Sequence, residues 1–121
     1  GLSRYYSPEN FYIAYLDGEA VACMALVDYD PMFWPDVQKG ESLFIHKLAV
    51  KRTGAGKGVS KVLIHFAKKK CKDRNIKYLR LDCDLLRDKV RKIYENEGFV
   101  CVDQSCLWGK YHTAFYVQEV E

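Results

Sequence analysis

Apolar and polar residues alternate over several short stretches of this chain, which predicts β-strands separated by turns. Residues 11–16 and 20–28 are two such stretches, and Asp17-Gly18 stands between them. Because Asp-Gly between alternating runs is typical of a tight hairpin, the two strands are expected to pair antiparallel. The segment that follows contains Pro31 and Pro35 and is predicted to be a loop that reaches Gly40.

A central strand, a glycine-rich turn and a helix are predicted next. The run 43–50 is apolar, and the glycines at 54, 56 and 58 then interrupt it. Apolar residues recur at helical spacing on one face, namely at Val59, Val62, Leu63, Phe66 and Ala67. A further strand is expected over residues 77–84. Since a strand–helix–strand crossover is right-handed, the two strands should lie parallel.

The rest of the chain predicts a second helix and two more strands. Leu86, Val90, Ile93 and Tyr94 share one helical face, and Gly98 should end that helix. Residues 99–107 and 114–120 alternate like two strands joined around a glycine. The order β-β-β-α-β-α-β-β predicts an α/β (α+β) fold, in which two helices flank a mixed, mostly antiparallel sheet.

Composition limits the function classes without naming one. The chain has 121 residues, 49% of them hydrophobic and 29% charged, with no shift along its length, so residues 1–121 should form a single domain. A net charge of +3 is too mild to indicate a nucleic-acid partner. No apolar run approaches the roughly 18 residues of a membrane span, and no signal segment is visible, so we expect no membrane association and a cytoplasmic protein.

The five cysteines form no CxxC pair, which predicts reduced thiols. Cys101, Cys106 and His112 are potential ligands, but their spacing matches no zinc pattern. No metal site is therefore predicted.

The glycine-rich turn before the first helix is the strongest chemical signal. A strand–turn–helix junction exposes backbone N–H groups at the positive end of the helix dipole, which favours a bound anion and most naturally phosphate. Gly56-Lys57 is followed by Gly58 and not by Ser or Thr, which excludes a P-loop. Val59 and Lys61 stand where dinucleotide-binding fingerprints beginning at Gly54 and Gly56 would need their last glycine, which excludes that motif as well.

A third phosphate-binding pattern does match. Leu48-Ala49-Val50, followed after a short link by Ala55-Gly56-Lys57-Gly58-Val59-Ser60, resembles the acyl-CoA loop of the GNAT superfamily of N-acyltransferases. The usual form is LAV and then (R/Q)xxGx(G/A), so the chain departs from it at the first and last loop positions. The resemblance implies that acetyl-CoA is bound by residues Leu48, Ala49, Val50, Ala55, Gly56, Lys57, Gly58, Val59, Ser60 and Lys61.

A second stretch carries the same resemblance. Tyr94-Glu95-Asn96-Glu97-Gly98-Phe99 is similar to the YExxGF motif of that family, in which the tyrosine acts as general acid beside the cofactor sulfur. The resemblance therefore implies that Tyr94 is catalytic; alternatively, it only belongs to the apolar stripe of its helix. The family's usual upstream Asn and Ala are Arg87 and Val90 here.

The element order resembles the GNAT fold from its second strand onward. That fold splays the two parallel strands to admit the cofactor. The family's first strand and two roofing helices have no counterpart before residue 11, so either the chain is trimmed or the acceptor wall comes from elsewhere, such as a homodimer partner.

His46 is the first candidate for a general base. It shares strand parity with Leu48 and Val50, and a free imidazole titrates near neutral pH. Equally, the ring can simply pack and make a hydrogen bond. Glu41 is the competing base, but parity places it on the opposite face from His46 unless a bulge intervenes.

The acceptor is expected to be a primary amine of a small molecule or peptide. Asp82 and Asp84 are candidates to hold a cationic amine, and Asp28, Asp30 and Asp36 could attract one. Phe33 and Trp34 either line the substrate mouth or pack onto the core.

The expected function is thus acetyl-CoA-dependent N-acetyltransfer. Two other classes remain open. One is a non-catalytic acyl-CoA-binding or interaction module of the same fold. The weaker one is a nucleic-acid-binding domain, suggested by the lysine cluster at 68–72 but lacking interleaved aromatic residues.

Overall fold

Six strands and two helices are found in the computed structural model, which describes residues 8–121. The strands are β1 (Phe11–Leu16), β2 (Glu19–Val27), β3 (Ser42–Val50), β4 (Tyr78–Asp84), β5 (Val100–Leu107) and β6 (Tyr111–Glu119). The helices are α1 (Val59–Asp73) and α2 (Asp88–Asn96). The predicted order of elements is therefore confirmed over the described range.

The strands form one sheet in the order β1-β2-β3-β4-β6-β5 within the described residues. Neighbouring strands pair antiparallel except β3 and β4, which are parallel. α1 connects those two strands, as a parallel pair requires a crossover. The expected α/β architecture, a mostly antiparallel sheet with one parallel pair and two helices, is confirmed.

Both helices contribute to a hydrophobic core on one face of the sheet, called here the helix face. Leu63 and Ile64 of α1 and Tyr94 of α2 are buried there against sheet residues such as Leu43 and Leu79. Burying each large apolar side chain contributes roughly 1.5–3 kcal/mol. Packing of one apolar stripe, more than intrinsic helix propensity, thus holds each helix in place.

Three predicted helix-face positions are exposed, one of which is Ile93 of α2, with 42% of its surface accessible. Val62 is 62% exposed, because Ile64 and Cys71 join the buried residues of α1 and move the centre of its apolar stripe away from Val62. Leu86 is 69% exposed, because α2 begins only at Asp88 and Leu86 lies in the turn before it.

The opposite face is partly covered by the loop between β2 and β3, so it is called the loop face. Trp34 and Val37 of this loop pack on Phe44 of β3 and Phe115 of β6 in a second buried cluster. Trp34 stands edge-on to Phe115 with ring centroids 5.1 Å apart. At the far edge of the sheet, alternate residues of β1 are exposed.

The parallel ladder is shorter than the strands that form it. Pairing between β3 and β4 runs from Ser42–Tyr78 to Ile45–Leu81 and stops there, although β3 continues to Val50 and β4 to Asp84. A bulge sits in β3 at the same point: Lys47 has a φ of 52°, and the register with β2 shifts between Cys23 and Ala25. The sheet is therefore open between the ends of β3 and β4, as expected for the splayed pair.

Candidate active site

The gap between the diverging ends of β3 and β4 is the centre of the candidate site. Lys51 N–H donates to the Val21 carbonyl on β2. Since successive N–H groups of a strand point in opposite directions, those of Val50 and Leu48 face the gap. In the described chain no strand pairs with this edge, so it is available to a ligand with amide groups.

The glycine-rich turn lies at one end of this edge. Gly56 and Gly58 have φ of 74° and 73°, a conformation that costs other residues energy, and nothing lies within 4 Å of where a Cβ would be. Open space beside both glycines means that backbone conformation, and not crowding, requires them. Gly54 differs, since a Cβ there would come within 2.9 Å of Val21 Cβ. It allows the turn to pack closely on β2.

α1 begins directly after this turn. Its N-cap, Gly58, is left-handed and makes no side-chain cap, and Val62 N–H donates to the Gly58 carbonyl in the first helical bond. The N–H groups of Val59, Ser60 and Lys61 thus precede the first bond of the helix. Together with exposed Lys57 and Lys61, they give this helix terminus the features that favour a bound anion.

A cavity of about 360 Å³ joins the strand edge to α2 on the helix face. Its lining combines the strand edge with residues of both helices and of the turn before α2: Leu48, Ala49, Val50, Ser60, Arg87, Val90, Ile93 and Tyr94. Arg87, which the sequence showed only as a departure from the family motif, is thus part of the site.

Tyr94 stands between this cavity and the gap. Its side chain is 8% exposed and packs edge-on against Phe99, with ring centroids 5.9 Å apart. Burial, with smaller contributions from Cys83 and Asp82, raises the pKa of Tyr94 well above its ordinary value. The hydroxyl is protonated at neutral pH, as it would also be at its ordinary pKa, and can act as a hydrogen-bond donor.

His46 lies on the loop face, so the predicted parity with Leu48 and Val50 is wrong. The bulge at Lys47 adds one residue to β3 and reverses the alternation, which leaves Leu48 and Val50 on the helix face. The imidazole stacks on Phe44 at an interplanar angle of 17°. It is 4% exposed, yet it still borders the gap.

The gap itself holds a cavity of about 200 Å³ that reaches both faces of the sheet. His46, Asp82 and Asp84 line it from the loop face and Tyr94 lines it from the helix face. Asp30, His46 and Asp82 each place one nitrogen or carboxylate oxygen within 4.8 Å of the other two. Acidic and basic side chains thus lie together in the cavity that connects the two faces of the sheet.

A further cavity of about 380 Å³ opens on the loop face beside the same carboxylates. Phe33, Asp82 and Asp84 line it with Tyr111 and His112. Asp84 also accepts a hydrogen bond from Leu86 N–H at 2.9 Å, which fixes one of its oxygens. Of the predicted acceptor residues, Phe33, Asp82 and Asp84 are therefore brought together.

The structure does not bring every candidate into the gap. Trp34 is 8% exposed and packs in the core beneath the loop. Glu41 precedes the first residue of β3 and accepts a hydrogen bond from Arg80 at 3.2 Å. Glu41 lies at the opposite end of β3 from Leu48 and is not among the residues that line the gap. Its role as a base therefore remains a prediction.

The contact between Asp30 and His46 has no counterpart in the local sequence pattern. Sixteen residues separate the two, and Asp30 stood in the sequence as one of three aspartates in a loop. Only the folded loop brings the Asp30 carboxylate to 3.4 Å from His46 Nε2. Nothing in the local pattern distinguished it from Asp28 or Asp36.

Within residues 8–121, no helix is long and apolar enough to cross a lipid bilayer. A comparison with curated protein sequences found no match.

Solved structures with the same fold are numerous. Ard1 from Thermoplasma volcanium aligns with a TM-score of 0.77 at 19% identity, covering 99% of this chain and 84% of its own. A GNAT family acetyltransferase from Elizabethkingia anophelis with acetyl-CoA bound aligns at 0.72 and 18% identity, covering 90% and 74%. An aminoglycoside 6'-N-acetyltransferase complexed with coenzyme A aligns at 0.69 and 16% identity, covering 92% and 72%.

The amino-acid sequence also matches a protein family. The match to the sequence model described as "Acetyltransferase (GNAT) family" spans residues 2–99, about four fifths of the chain, and includes the glycine-rich turn and Tyr94. With the splayed strands and the turn already described, this match shows that the chain belongs to the GNAT acetyltransferase family.

Proposed function

We propose that this chain is an N-acetyltransferase that moves the acetyl group of acetyl-CoA to a primary amine of a small molecule or peptide. The observation that carries the proposal is the gap between β3 and β4. One side of it offers a strand edge, an anion-binding turn and a buried proton donor, and the other offers an imidazole and carboxylates. Family membership makes acetyl transfer the reaction that uses these groups together.

The residues present fit acetyl-CoA on the helix face. The left-handed Gly56 and Gly58 and the first N–H groups of α1 form a cradle for pyrophosphate in which no Cβ intrudes. The gap-facing N–H groups of Leu48 and Val50 match the amides of a pantetheine arm. The remaining predicted contacts, Ala49, Ala55, Lys57, Val59, Ser60 and Lys61, surround these groups. When bound, the thioester supplies the acetyl group in activated form.

The chain's own groups can stabilise the reaction in two ways. Leu48 N–H is positioned to donate to an acyl oxygen as negative charge develops on it, at no cost in reorganisation. Tyr94, which is protonated at neutral pH and lines the gap, can donate its proton to the departing sulfur. Both groups lie on the helix-face side of the gap.

The acceptor amine enters from the loop face in this proposal. Asp82 and Asp84 lie where an ammonium group would be attracted, and Phe33 and Tyr111 form an aromatic wall beside them. His46, at the inner end of the gap, then accepts the proton that the ammonium must lose before it can attack.

An amine screen tests the proposed function. Purified protein is incubated with acetyl-CoA and a panel of cationic amines and peptides, and the release of free thiol is followed. Release with at least one amine supports the proposal. Calorimetry with CoA is run in parallel: binding without turnover on any amine favours the non-catalytic acyl-CoA-binding module, and no binding contradicts both.

A further inference from the structure

Hydrogen bonds within its own loop hold Asp30 in place, independently of the other groups of the site. Its Oδ1 accepts a hydrogen bond from Phe33 N–H at 3.2 Å, and its backbone carbonyl accepts one from Trp34 N–H at 2.8 Å. Trp34 in turn packs in the buried cluster on the loop face. The turn therefore fixes the Asp30 carboxylate, which is 5% exposed, against the sheet.

The other oxygen of that carboxylate, Oδ2, faces His46 Nε2 at 3.4 Å. The Phe44 ring stacks on the imidazole, so both the plane of the ring and the direction of its Nε2 are constrained. A carboxylate close to one ring nitrogen favours the tautomer that carries its proton there, which leaves the other nitrogen as the basic one. A base fixed in this way needs no reorganisation when the proton arrives.

The carboxylates around His46 also favour a protonated imidazole during the reaction. Carboxylate oxygens of Asp30 and Asp82 lie within 4.8 Å of each other as well as of the imidazole. Two buried or half-buried carboxylates so close together favour a positive charge between them. The acceptor ammonium brings that charge, and His46 keeps it as imidazolium after taking the proton.

We propose that Asp30 is a positioning residue of this acetyltransferase, which orients the His46 imidazole toward the gap and stabilises the imidazolium formed during turnover. The proposal rests on the proposed function. In the reaction the ammonium gives one proton to His46, and the neutral amine then forms the N–C bond while the C–S bond breaks and the sulfur takes a proton from Tyr94. The second proton that the nitrogen loses on becoming an amide restores the Tyr94 hydroxyl through solvent, and His46 returns its proton to solvent. In this proposal Asp30 acts through His46.

Asp30→Asn is the decisive variant. Asparagine keeps an oxygen that can accept from Phe33 N–H, so the turn is retained while the charge beside His46 is lost. We expect kcat to fall roughly tenfold or more and KM for acetyl-CoA to stay constant, because Asp30 lies on the opposite face from the cofactor cradle. The acid limb of the pH–rate profile should move to lower pH, since a lost carboxylate no longer favours imidazolium.

Other charged or titratable groups around the gap remain in the variant and set the background of that profile. They are Lys47, Asp82, Cys83, Asp84, Arg87 and Tyr94. Asp73→Asn, an exposed change at the C-terminal end of α1, is the matched control and should leave the profile unchanged. A chelator is present throughout, so that a metal ion held by Asp30, His46 and Asp82 does not contribute.

An NMR titration of the histidine side chains separates this inference from the proposed function. His46, His65 and His112 give three signals, and in Asp30→Asn only the His46 midpoint should move to lower pH, while the other two report an intact fold. An unchanged His46 midpoint overturns the inference, as does a shifted midpoint with unchanged kcat and acid limb. A wild type that pairs Asp30 with His46 in this titration but acetylates no amine overturns the proposed function and, with it, the catalytic role of Asp30.

Discussion

Tyr94 combines a packing position in the core with a proposed role in the chemistry. Its ring packs between Phe99 and Tyr116, with centroids 5.9 Å and 6.3 Å away, and the same burial raises the pKa of its hydroxyl. The apolar stripe and the proposed proton donor are thus not alternatives. The environment that buries the ring also disfavours the charged tyrosinate, so the hydroxyl stays neutral well above neutral pH.

Tyr94→Phe should lower kcat by about 10²-fold or more while CoA affinity and folding are retained, because only the hydroxyl proton is lost. Steady-state kinetics and calorimetry with CoA check this expectation. Tyr15→Phe, which removes an exposed hydroxyl on β1, is the matched control and should have no effect. Turnover of Tyr94→Phe at the wild-type rate would remove the general-acid role.

Lys47 carries a left-handed backbone, with a φ of 52°, at the bulge in β3. Lys47→Val should destabilise the protein by about 1–2 kcal/mol, because a β-branched side chain disfavours this conformation. Lys47→Gly should be nearly neutral, since glycine adopts it freely. Urea unfolding measures both, with Lys51→Val as control at an extended residue with a φ of −67°. Equal losses for the two valine variants would contradict the explanation.

At the scale of elements, the glycine-rich turn and α1 act as a unit. Gly58→Ala should weaken CoA binding by roughly tenfold in calorimetry, because a Cβ disfavours the φ of 73° and moves the first N–H groups of the helix. Gly18→Ala changes a hairpin glycine with a φ of 82° and equally open surroundings, far from the gap. It should cost similar stability and leave affinity intact; a matching loss of affinity would argue against a cradle at Gly58.

Most elements were predictable because their signals are local. Asp17-Gly18 marked the first hairpin, the glycines marked the start of α1, and Gly98 marked the end of α2. The bulge at Lys47 was not predictable, since a lysine carries no sign of a left-handed backbone. One inserted residue reversed the faces of β3 beyond it, and so the sequence placed His46 on the wrong side of the sheet.

The candidate site was predictable on the helix face and less so on the loop face. Cofactor-side residues are close in sequence and follow a family motif, whereas Asp30, His46 and Asp82 come from a loop and two strands. Their contact depends on how residues 28–41 fold over the sheet. Packing of Trp34, and not a local pattern, decides that path.

At the scale of the whole molecule, several groups keep their protons to a higher pH than they would in an unfolded chain. Burial raises the pKa of the Cys71 and Cys83 thiols from 9.0 to about 11 and, with a hydrogen bond to Glu95, the pKa of Tyr116 to about 12. At a pH between the ordinary and the raised pKa values, these groups have already lost their protons in the unfolded chain but retain them in the folded chain. The unfolded state binds fewer protons there, so stability must fall as pH rises.

Urea unfolding between pH 7 and 11 should show this loss beginning near pH 9, with each thiol accounting for at most about 2–3 kcal/mol. Cys71→Ala should be less stable at pH 7, because it leaves a cavity, but should lose less stability on going to pH 11. Cys106→Ser, at an exposed thiol, should follow the wild-type slope. A wild-type stability that stays constant up to pH 11 would contradict the raised values.

The short parallel ladder divides the sheet into two halves, β1-β2-β3 and β4-β6-β5. Within residues 8–121 these halves share only the strand pairs from Ser42–Tyr78 to Ile45–Leu81. α1 contacts β2, β3 and β4 and so lies across the junction. Few backbone hydrogen bonds have to break to separate the two halves at the open end. Amide hydrogen exchange at Leu48 and Val50 should therefore be among the fastest in the sheet. CoA, by bridging this edge, should slow exchange at both residues and leave β5 unchanged. The open end of the ladder would then behave as a hinge that the cofactor closes, coupling its arrival on one face to the spacing of the acceptor groups on the other.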